Sequence, residues 1–243
     1  MKVLVVGASG ATGQLVVKEL LSRGYHVRIV IRSIDTFPDE FFEHKNLSII
    51  EASLLDYSNS ELTFLIAGCN AVISCLGHNL SFKGIYGQPR RLVTQAVHRL
   101  CDAIKFAPNN NHVKFILMNT AGNSNRDHLE KISFAQKCIM GLIRLLLPPH
   151  VDNEMAADYL RIQLGQLDSC IEWSVVRPDG LIDDKEVTSY EIYTSPTRSA
   201  IFDAGKTSRI NVAHFMAELI SEEDTWRQWK GKMPVIYNKT YQK

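Results

Sequence analysis

The sequence predicts an α/β fold in which helices cover both faces of a parallel, doubly wound sheet, so that the molecule has three layers. Strand and helix signals alternate along the chain, and the first strand candidate, residues 3–6, is apolar at every position. A continuous apolar run is typical of a parallel strand that is buried on both faces. No linker rich in Gly, Pro or Ser divides the 243 residues, so we expect one domain over residues 1–243.

The first half of the chain supplies these signals in regular order. After the first strand, apolar residues share one helical face up to Gly24, and the capping box Ser58-x-x-Glu61 starts a second, shorter helix. Pro89 suits the first turn of a third helix, whose apolar residues recur at helical spacing over residues 93–104. The expected strands are residues 3–6, 25–31, 47–50 and 71–76.

The second half continues the alternation. Asp152 is expected to cap a helix that runs to about Leu167, and a last helix is expected from about Asn211. The expected strands and extended segments are residues 114–118, 171–177, 190–194 and 235–237.

One segment, at about residues 123–150, does not fit a simple connection. It is too long for a short loop and too apolar for a solvated one, because residues 132–147 carry apolar side chains on more than one helical face. We expect a helical insertion here. A helix packed on the domain's own surface, a substrate lid and a dimer contact all fit this pattern.

Charge and composition restrict the partners. The chain has 27 Lys and Arg against 26 Asp and Glu, a formal net charge of +1, which argues against a nucleic-acid partner or a membrane surface and leaves room for a local anion pocket. The five cysteines lack metal-site spacing, so we expect buried free thiols and no metal. The first strand starts at once and no apolar run approaches ~20 residues, which favours a cytoplasmic location.

A glycine-rich turn between the first strand and the first helix carries the strongest chemical signal. It reads Gly7-Ala8-Ser9-Gly10-Ala11-Thr12-Gly13. The glycines permit a sharp turn, a close approach to a pyrophosphate and tight packing of helix on sheet, while the helix N-terminus attracts phosphate. Ser9 and Thr12 can add hydroxyl donors. The turn predicts a Rossmann-like dinucleotide site.

The end of the second strand indicates which dinucleotide binds. An NAD site usually has an acidic residue there for the ribose 2′-hydroxyl, whereas this chain has Arg32-Ser33, a cation and a hydroxyl suited to a 2′-phosphate. We therefore expect NADP(H), with NAD(H) as the less favoured alternative. Arg32 as a plain solvated residue and Asp35 as the ribose ligand remain open.

These residues resemble a known family. The spacing G-x-x-G-x-x-G, the following Val30-Ile31-Arg32, and the later segments at residues 175–181 and 209–213 are similar to the atypical short-chain dehydrogenase/reductases. Within that group the sequence resembles the compact NAD(P)H-binding proteins that include biliverdin-IX-beta/flavin reductase and the NmrA-like proteins. The resemblance covers nearly the whole chain outside residues 123–150.

The resemblance implies a cofactor site. Glycine-loop residues would hold the pyrophosphate, Arg32 and Ser33 the 2′-phosphate, and Leu54 the adenine, although the family's usual Gly-Asp before Leu54 is Ala52-Ser53 here. Cys75, Leu76 and Gly77 would run along the cofactor, with a small buried thiol an equal explanation for Cys75. Asn119, Thr120 and Pro178 would face the nicotinamide. The implied site comprises Gly7, Ser9, Gly10, Ala11, Thr12, Gly13, Arg32, Ser33, Leu54, Cys75, Leu76, Gly77, Asn119, Thr120 and Pro178.

A catalytic residue is not evident. None of the eight tyrosines has a lysine four residues later, so the Tyr-x-x-x-Lys pair of ordinary carbonyl reduction is absent. Glu154 is a weak candidate explained by a helix N-terminus, and His78 and His150 fit ordinary surface histidines.

Three functions remain open at this point. The sequence favours an NADP(H)-dependent oxidoreductase that passes hydride to a small conjugated acceptor such as a flavin or quinone. The alternative is a redox-sensing regulatory protein that binds NADP(H) without turnover, and an epimerase or dehydratase is third. A small-molecule substrate is expected, and a homodimer is left open.

Overall fold

The computed structural model describes residues 1–79, 81–108 and 112–239. Its strands are β1 (Lys2–Val6), β2 (His26–Ile31), β3 (Leu47–Glu51), β4 (Ala71–Ser74), β5 (Val113–Met118), β6 (Ile171–Pro178), β7 (Gly180–Ile182), β8 (Tyr190–Tyr193), β9 (Lys206–Ser208) and β10 (Val235–Asn238). Its helices are α1 (Ala11–Ser22), α2 (Asn59–Ile66), α3 (Phe82–Tyr86), α4 (Leu92–Phe106), α5 (Phe134–Leu146), α6 (Pro148–Asp158), α7 (Arg209–Ser221) and α8 (Glu223–Trp229).

Eight of these strands form one sheet in the order β3-β2-β1-β4-β5-β6-β10-β8, while β7 and β9 pair separately. Neighbouring strands of the large sheet are parallel except β8, which runs antiparallel to β10. One apolar core lies between the sheet and α1 with α7, and a second lies between the opposite face and α2, α4 and α6. The predicted three-layer, Rossmann-like fold is therefore confirmed.

The strand order fixes where a ligand can bind. From β1 the chain adds β2 and β3 on one side and β4, β5 and β6 on the other. Crossovers that leave β1 in opposite directions open a crevice at the carboxyl ends of β1 and β4. Gly7 follows β1 and Cys75 follows β4, so the glycine loop lies at this crevice.

Two helix starts differ from the sequence prediction. Helix α4 begins at Leu92, so Pro89 lies in the preceding loop. Helix α6 begins at Pro148, with proline in its first turn, so Asp152 lies inside this helix instead of capping it. Its carboxylate accepts hydrogen bonds from the first turn of α4, because that terminus has no side-chain cap of its own.

A buried arginine ties the loop after β5 to the sheet. The side chain of Arg177 in β6 is fully buried and donates Nε to the Met233 carbonyl and Nη1 to the Asn123 carbonyl, each at 2.8 Å. Its Nη2 lies 2.8 Å from Oε1 of Glu130, a carboxylate that is 3% exposed, and 3.2 Å from the Thr194 carbonyl. Arg177 thus joins three loops at the carboxyl end of β6: the loop after β5, the loop after β8 and the loop before β10.

The segment of the expected insertion contains α5 and the first turn of α6. Met140 is the buried residue of α5, and Arg144 connects the helix to Glu154 of α6. One domain over residues 1–243 with an insertion at about 123–150 stays a prediction.

Candidate cofactor-binding site

The glycine loop packs so closely that two of its positions exclude a side chain. Gly7 has φ +75°, and a Cβ there would lie 2.5 Å from the carbonyl carbon of Cys75. A Cβ on Gly13 would lie 2.1 Å from the Gly7 carbonyl oxygen. Because Gly7 and Gly13 have no side chains, the backbone of the first turn of α1 packs directly against the loop.

The N-terminus of α1 is open to an anion. No described side chain caps the helix at Gly10, and the first turn carries no acidic residue. The free N–H groups of a first turn and the helix dipole favour a negative charge at this point. The loop can therefore cradle a phosphate.

A cavity of about 450 Å³ opens beside this loop. Eight of the predicted site residues line it, namely Gly7, Ser9, Gly10, Arg32, Leu54, Cys75, Leu76 and Gly77. Ala11, Thr12 and Gly13 form the adjoining first turn of α1, where the Thr12 side chain is buried. The structure thus brings the ends of β1, β2 and β4 together around one space, as the sequence predicts.

Arg32 is a free cation at the edge of this cavity. Its side chain is exposed, and within the described residues no carboxylate or carbonyl accepts a hydrogen bond from it. Ser33 lies outside the cavity lining, and its hydroxyl donates to Asp35 Oδ2 at 3.3 Å. An unpaired guanidinium suits a phosphate, while the Ser33 hydroxyl is held by a neighbour.

Arg99 of α4 holds the wall of the cavity around Leu54 in place. Its guanidinium donates to the carbonyl oxygens of Leu54 at 3.3 Å and Leu55 at 2.5 Å, and to that of Tyr57. These bonds fix the turn at residues 54–56 against α4, so the Leu54 side chain lies in the cavity wall although Ala52-Ser53 replaces the family's usual Gly-Asp.

The loop between β4 and α4, together with the start of α4, completes the wall of this cavity. Asn79, Gln88, Pro89 and Leu92 also line the cavity. These residues form no sequence motif. They lie in the cavity wall because of the path that the chain takes between β4 and α4.

A buried histidine anchors this loop. Nε2 of His78 lies 2.7 Å from Asp152 Oδ2, and Nδ1 lies 3.2 Å from the Gly84 carbonyl oxygen. The Asp152 carboxylate also accepts the backbone N–H of Val93 at 2.8 Å and of Thr94 at 2.9 Å. The His78 side chain is only 5% exposed, so the prediction of a surface histidine was wrong.

Asn119, Thr120 and Pro178 lie at the ends of β5 and β6, outside the lining of this cavity. The Asn119 amide donates to the Asn153 carbonyl at 2.8 Å and accepts from the Thr120 N–H at 2.9 Å. The Pro178 carbonyl accepts from the N–H of Ala121 at 2.8 Å. These contacts join the end of β5 to β6 and α6, and a role toward nicotinamide stays a prediction.

Cys75 is a neutral thiol at physiological pH. Burial raises the pKa of its thiol to about 12. A thiolate nucleophile is therefore disfavoured, and the small-side-chain explanation accounts for this residue. The cysteines are free, but Cys138 on α5 is exposed, contrary to the expectation of burial.

Glu154 is an anchor for α5. Arg144 Nε lies 2.9 Å from one carboxylate oxygen and Nη2 lies 2.8 Å from the other. His150 Nε2 lies 3.4 Å from the same carboxylate. Burial raises the pKa of Glu154, but His150 and Arg144 outweigh it and lower the pKa to about 2. The group stays ionised, which argues against a role as general acid.

The depressed pKa of Glu154 predicts a pH dependence of stability. Its contribution is full above the ordinary pKa of 4.5 and is lost as the pH falls toward the folded value of about 2. We expect Glu154→Gln to lower the melting temperature at pH 7 and to flatten its decline below pH 4.5. Glu40→Gln, at an exposed position, is the control. If the melting temperatures of Glu154→Gln and of the wild type fell in parallel between pH 7 and pH 3, this assignment would be contradicted.

Within the described residues, no helix combines the length and the apolar composition that a membrane span needs. No group of three or more His, Cys, Asp or Glu side chains in those residues could hold a metal ion.

The fold and the loop define a Rossmann-type nucleotide-binding protein. The chain belongs to the NAD(P)H-binding family, whose model matches residues 7–223. It is also 25% identical over 224 residues to an uncharacterised chloroplastic protein of Arabidopsis thaliana, covering 92% of this chain and 73% of that protein.

Solved structures share the fold. The oxidoreductase ylbE of Lactococcus lactis is 18% identical with a TM-score of 0.68, covering 99% of this chain and 92% of that one. A short-chain dehydrogenase/reductase of Veillonella parvula in complex with NADP is 17% identical with a TM-score of 0.68, covering 98% and 94%. A candidate NADH-flavin reductase of Streptococcus pneumoniae is 17% identical with a TM-score of 0.68, covering 98% and 100%.

Proposed function

We propose that this protein is an NADP(H)-dependent oxidoreductase that passes hydride to a small conjugated acceptor such as a flavin or quinone. The observation that carries the proposal is the unpaired guanidinium of Arg32 at the edge of the cavity beside the glycine loop. Arginine pairs well with a 2′-phosphate, which distinguishes NADP(H) from NAD(H). The NADP complex of the Veillonella parvula protein supports the cofactor, and the similarity to the candidate NADH-flavin reductase of Streptococcus pneumoniae supports the acceptor.

Each predicted residue has a role in this proposal. The glycine-loop residues 7 and 9–13 hold the pyrophosphate through backbone N–H groups, and Arg32, assisted by Ser33, holds the 2′-phosphate. Leu54 packs on the adenine, and residues 75–77 line the path toward the nicotinamide. Asn119, Thr120 and Pro178 flank the nicotinamide itself.

The chemistry requires little of the protein. Bound NADPH supplies the hydride, and a conjugated acceptor can take its proton from water. The neutral Cys75 thiol and the ionised Glu154 carboxylate are consistent with a proton that comes from water, because neither group has a pKa suited to proton transfer near pH 7. The chain's residues then bind, orient and enclose the reactants.

Absorbance of NADPH with a panel of flavins, quinones and aldehydes tests the proposal. We expect oxidation with at least one flavin or quinone and none with simple aldehydes, because the Tyr-x-x-x-Lys pair is absent. Tight NADPH binding without oxidation by any acceptor would instead favour the redox-sensing protein.

Substitution of Arg32 tests the cofactor preference. We expect Arg32→Ala to weaken NADPH binding by roughly ten- to a hundredfold, the effect of losing a charge-assisted contact, and to leave NADH binding nearly unchanged. Arg227→Ala, at a second exposed arginine, is the matched control. Tighter binding of NADH than of NADPH by the wild type would point to Asp35 as the ribose ligand.

The cytoplasmic location and the homodimer stay predictions.

A further inference from the structure

The outer face of α5 is apolar and uncovered by the described residues. Phe134, Cys138, Leu142 and Leu145 are spaced by four, four and three residues, which places them on one side of the helix. All four are exposed, Phe134 to 83% and Leu145 to 78%. A soluble helix normally buries such a stripe, so this face is suited to a partner.

Helix α3 extends this face. Phe82 is 81% exposed, and its ring lies 5.0 Å from that of Tyr86. The Tyr86 hydroxyl donates to the Leu146 carbonyl at 3.0 Å, which joins the two helices. We call the exposed residues of α3 and α5 the α3–α5 surface.

The two segments that contain this surface, residues 81–91 and 131–149, are also one-sided in charge. They contain six of the 27 basic side chains and none of the 26 acidic ones. Arg144 is paired with Glu154, while no described carboxylate pairs with the other five. All five are exposed, namely Lys83, Arg90, Arg91, Lys131 and Lys137.

We propose that the α3–α5 surface docks on an anionic lipid bilayer. An amphipathic helix with exposed Phe and Leu beside Lys and Arg is the pattern of helices that lie in the membrane interface. The apolar stripe would enter the headgroup region, and the flanking cations would contact lipid phosphates. A second copy is a poorer occupant, because two cationic surfaces without carboxylates repel each other.

Docking on a bilayer is contrary to the expectation of no membrane partner, which rested on the net charge of +1. The net charge is a sum over the whole chain, whereas the excess of positive charge is local to residues 81–91 and 131–149. Because α3 belongs to the loop that supplies Gln88 and Pro89 to the cavity wall, docking would bring the membrane close to the cofactor site.

Sedimentation of the full chain with phospholipid vesicles tests the proposal. We expect it to sediment with vesicles containing phosphatidylglycerol, to bind pure phosphatidylcholine weakly, and to lose binding as salt is raised. Leu142→Glu with Leu145→Glu should weaken binding at least about tenfold, and Lys137→Glu alone roughly fivefold. Phe64→Glu with Leu167→Glu, at exposed apolar positions outside the surface, should not change it.

Retained NADPH binding would show that each variant is folded. This measurement does not depend on the outcome of the vesicle experiment. Absence of sedimentation with anionic vesicles would overturn the proposal, as would equal losses in the two double variants. A dimer in sedimentation velocity that Leu142→Glu with Leu145→Glu converts to monomer would overturn it in favour of a second copy.

Discussion

Gly13→Ala is expected to weaken NADPH binding about a hundredfold, the effect of losing one or two hydrogen bonds to a charged pyrophosphate. The added Cβ would lie 2.1 Å from the Gly7 carbonyl oxygen, and backbone cannot rotate away as a flexible side chain can. Helix α1 would have to move off the loop, and its N–H groups would no longer point at the pyrophosphate. Overpacking at this contact should also destabilise the fold by about 1–3 kcal/mol.

Gly141→Ala is the matched control, because Gly141 is also in a helix and a Cβ there meets no atom within 4 Å. It should keep NADPH affinity and be slightly stabilising, by up to about 1 kcal/mol. Isothermal titration well below the melting temperature separates binding from unfolding. Wild-type NADPH affinity in Gly13→Ala would contradict the assignment of the pyrophosphate to this loop.

Arg177→Met is expected to lower the free energy of unfolding by about 3–5 kcal/mol, the range for breaking a buried ion pair. The substitution removes the cation from the buried Glu130 carboxylate and the donors from three carbonyl oxygens. Urea denaturation measures the loss. Arg177→Met with Glu130→Gln should recover part of it, because the second change removes the unpaired charge.

Arg198→Met is the control for this experiment. Arg198 pairs with Asp203 at the surface, where water screens the ion pair and its loss should have little effect on stability. A loss in Arg177→Met that is no larger than the loss in this control would show that the Arg177 network does not hold the three loops.

The features that the sequence predicted are those that depend on neighbouring residues. The strand and helix signals and the turn from Gly7 to Gly13 are local, and the structure has most of them within a few residues of the expected bounds. The exception is α6, which ends at Asp158 instead of about Leu167. The parallel order of strands then brings Arg32 and Cys75 to the same cavity as the glycine loop without any further information.

The features that it missed depend on residues distant in the chain. Asp152 looked like the cap of its own helix, yet its carboxylate accepts hydrogen bonds from α4 and His78, 58 to 74 residues away. Arg177 matched a family motif that indicated no partner, and its partners come from three separate loops. Such contacts leave no period or spacing in the sequence.

A crystal structure of the protein with NADP⁺ tests the central claim most directly. It should show the pyrophosphate on the backbone N–H groups of residues 10–13, the 2′-phosphate within hydrogen-bond distance of the Arg32 guanidinium, and the nicotinamide beside Asn119 and Pro178. A nucleotide bound outside the 450 Å³ cavity, or a 2′-phosphate that points away from Arg32, would contradict the account.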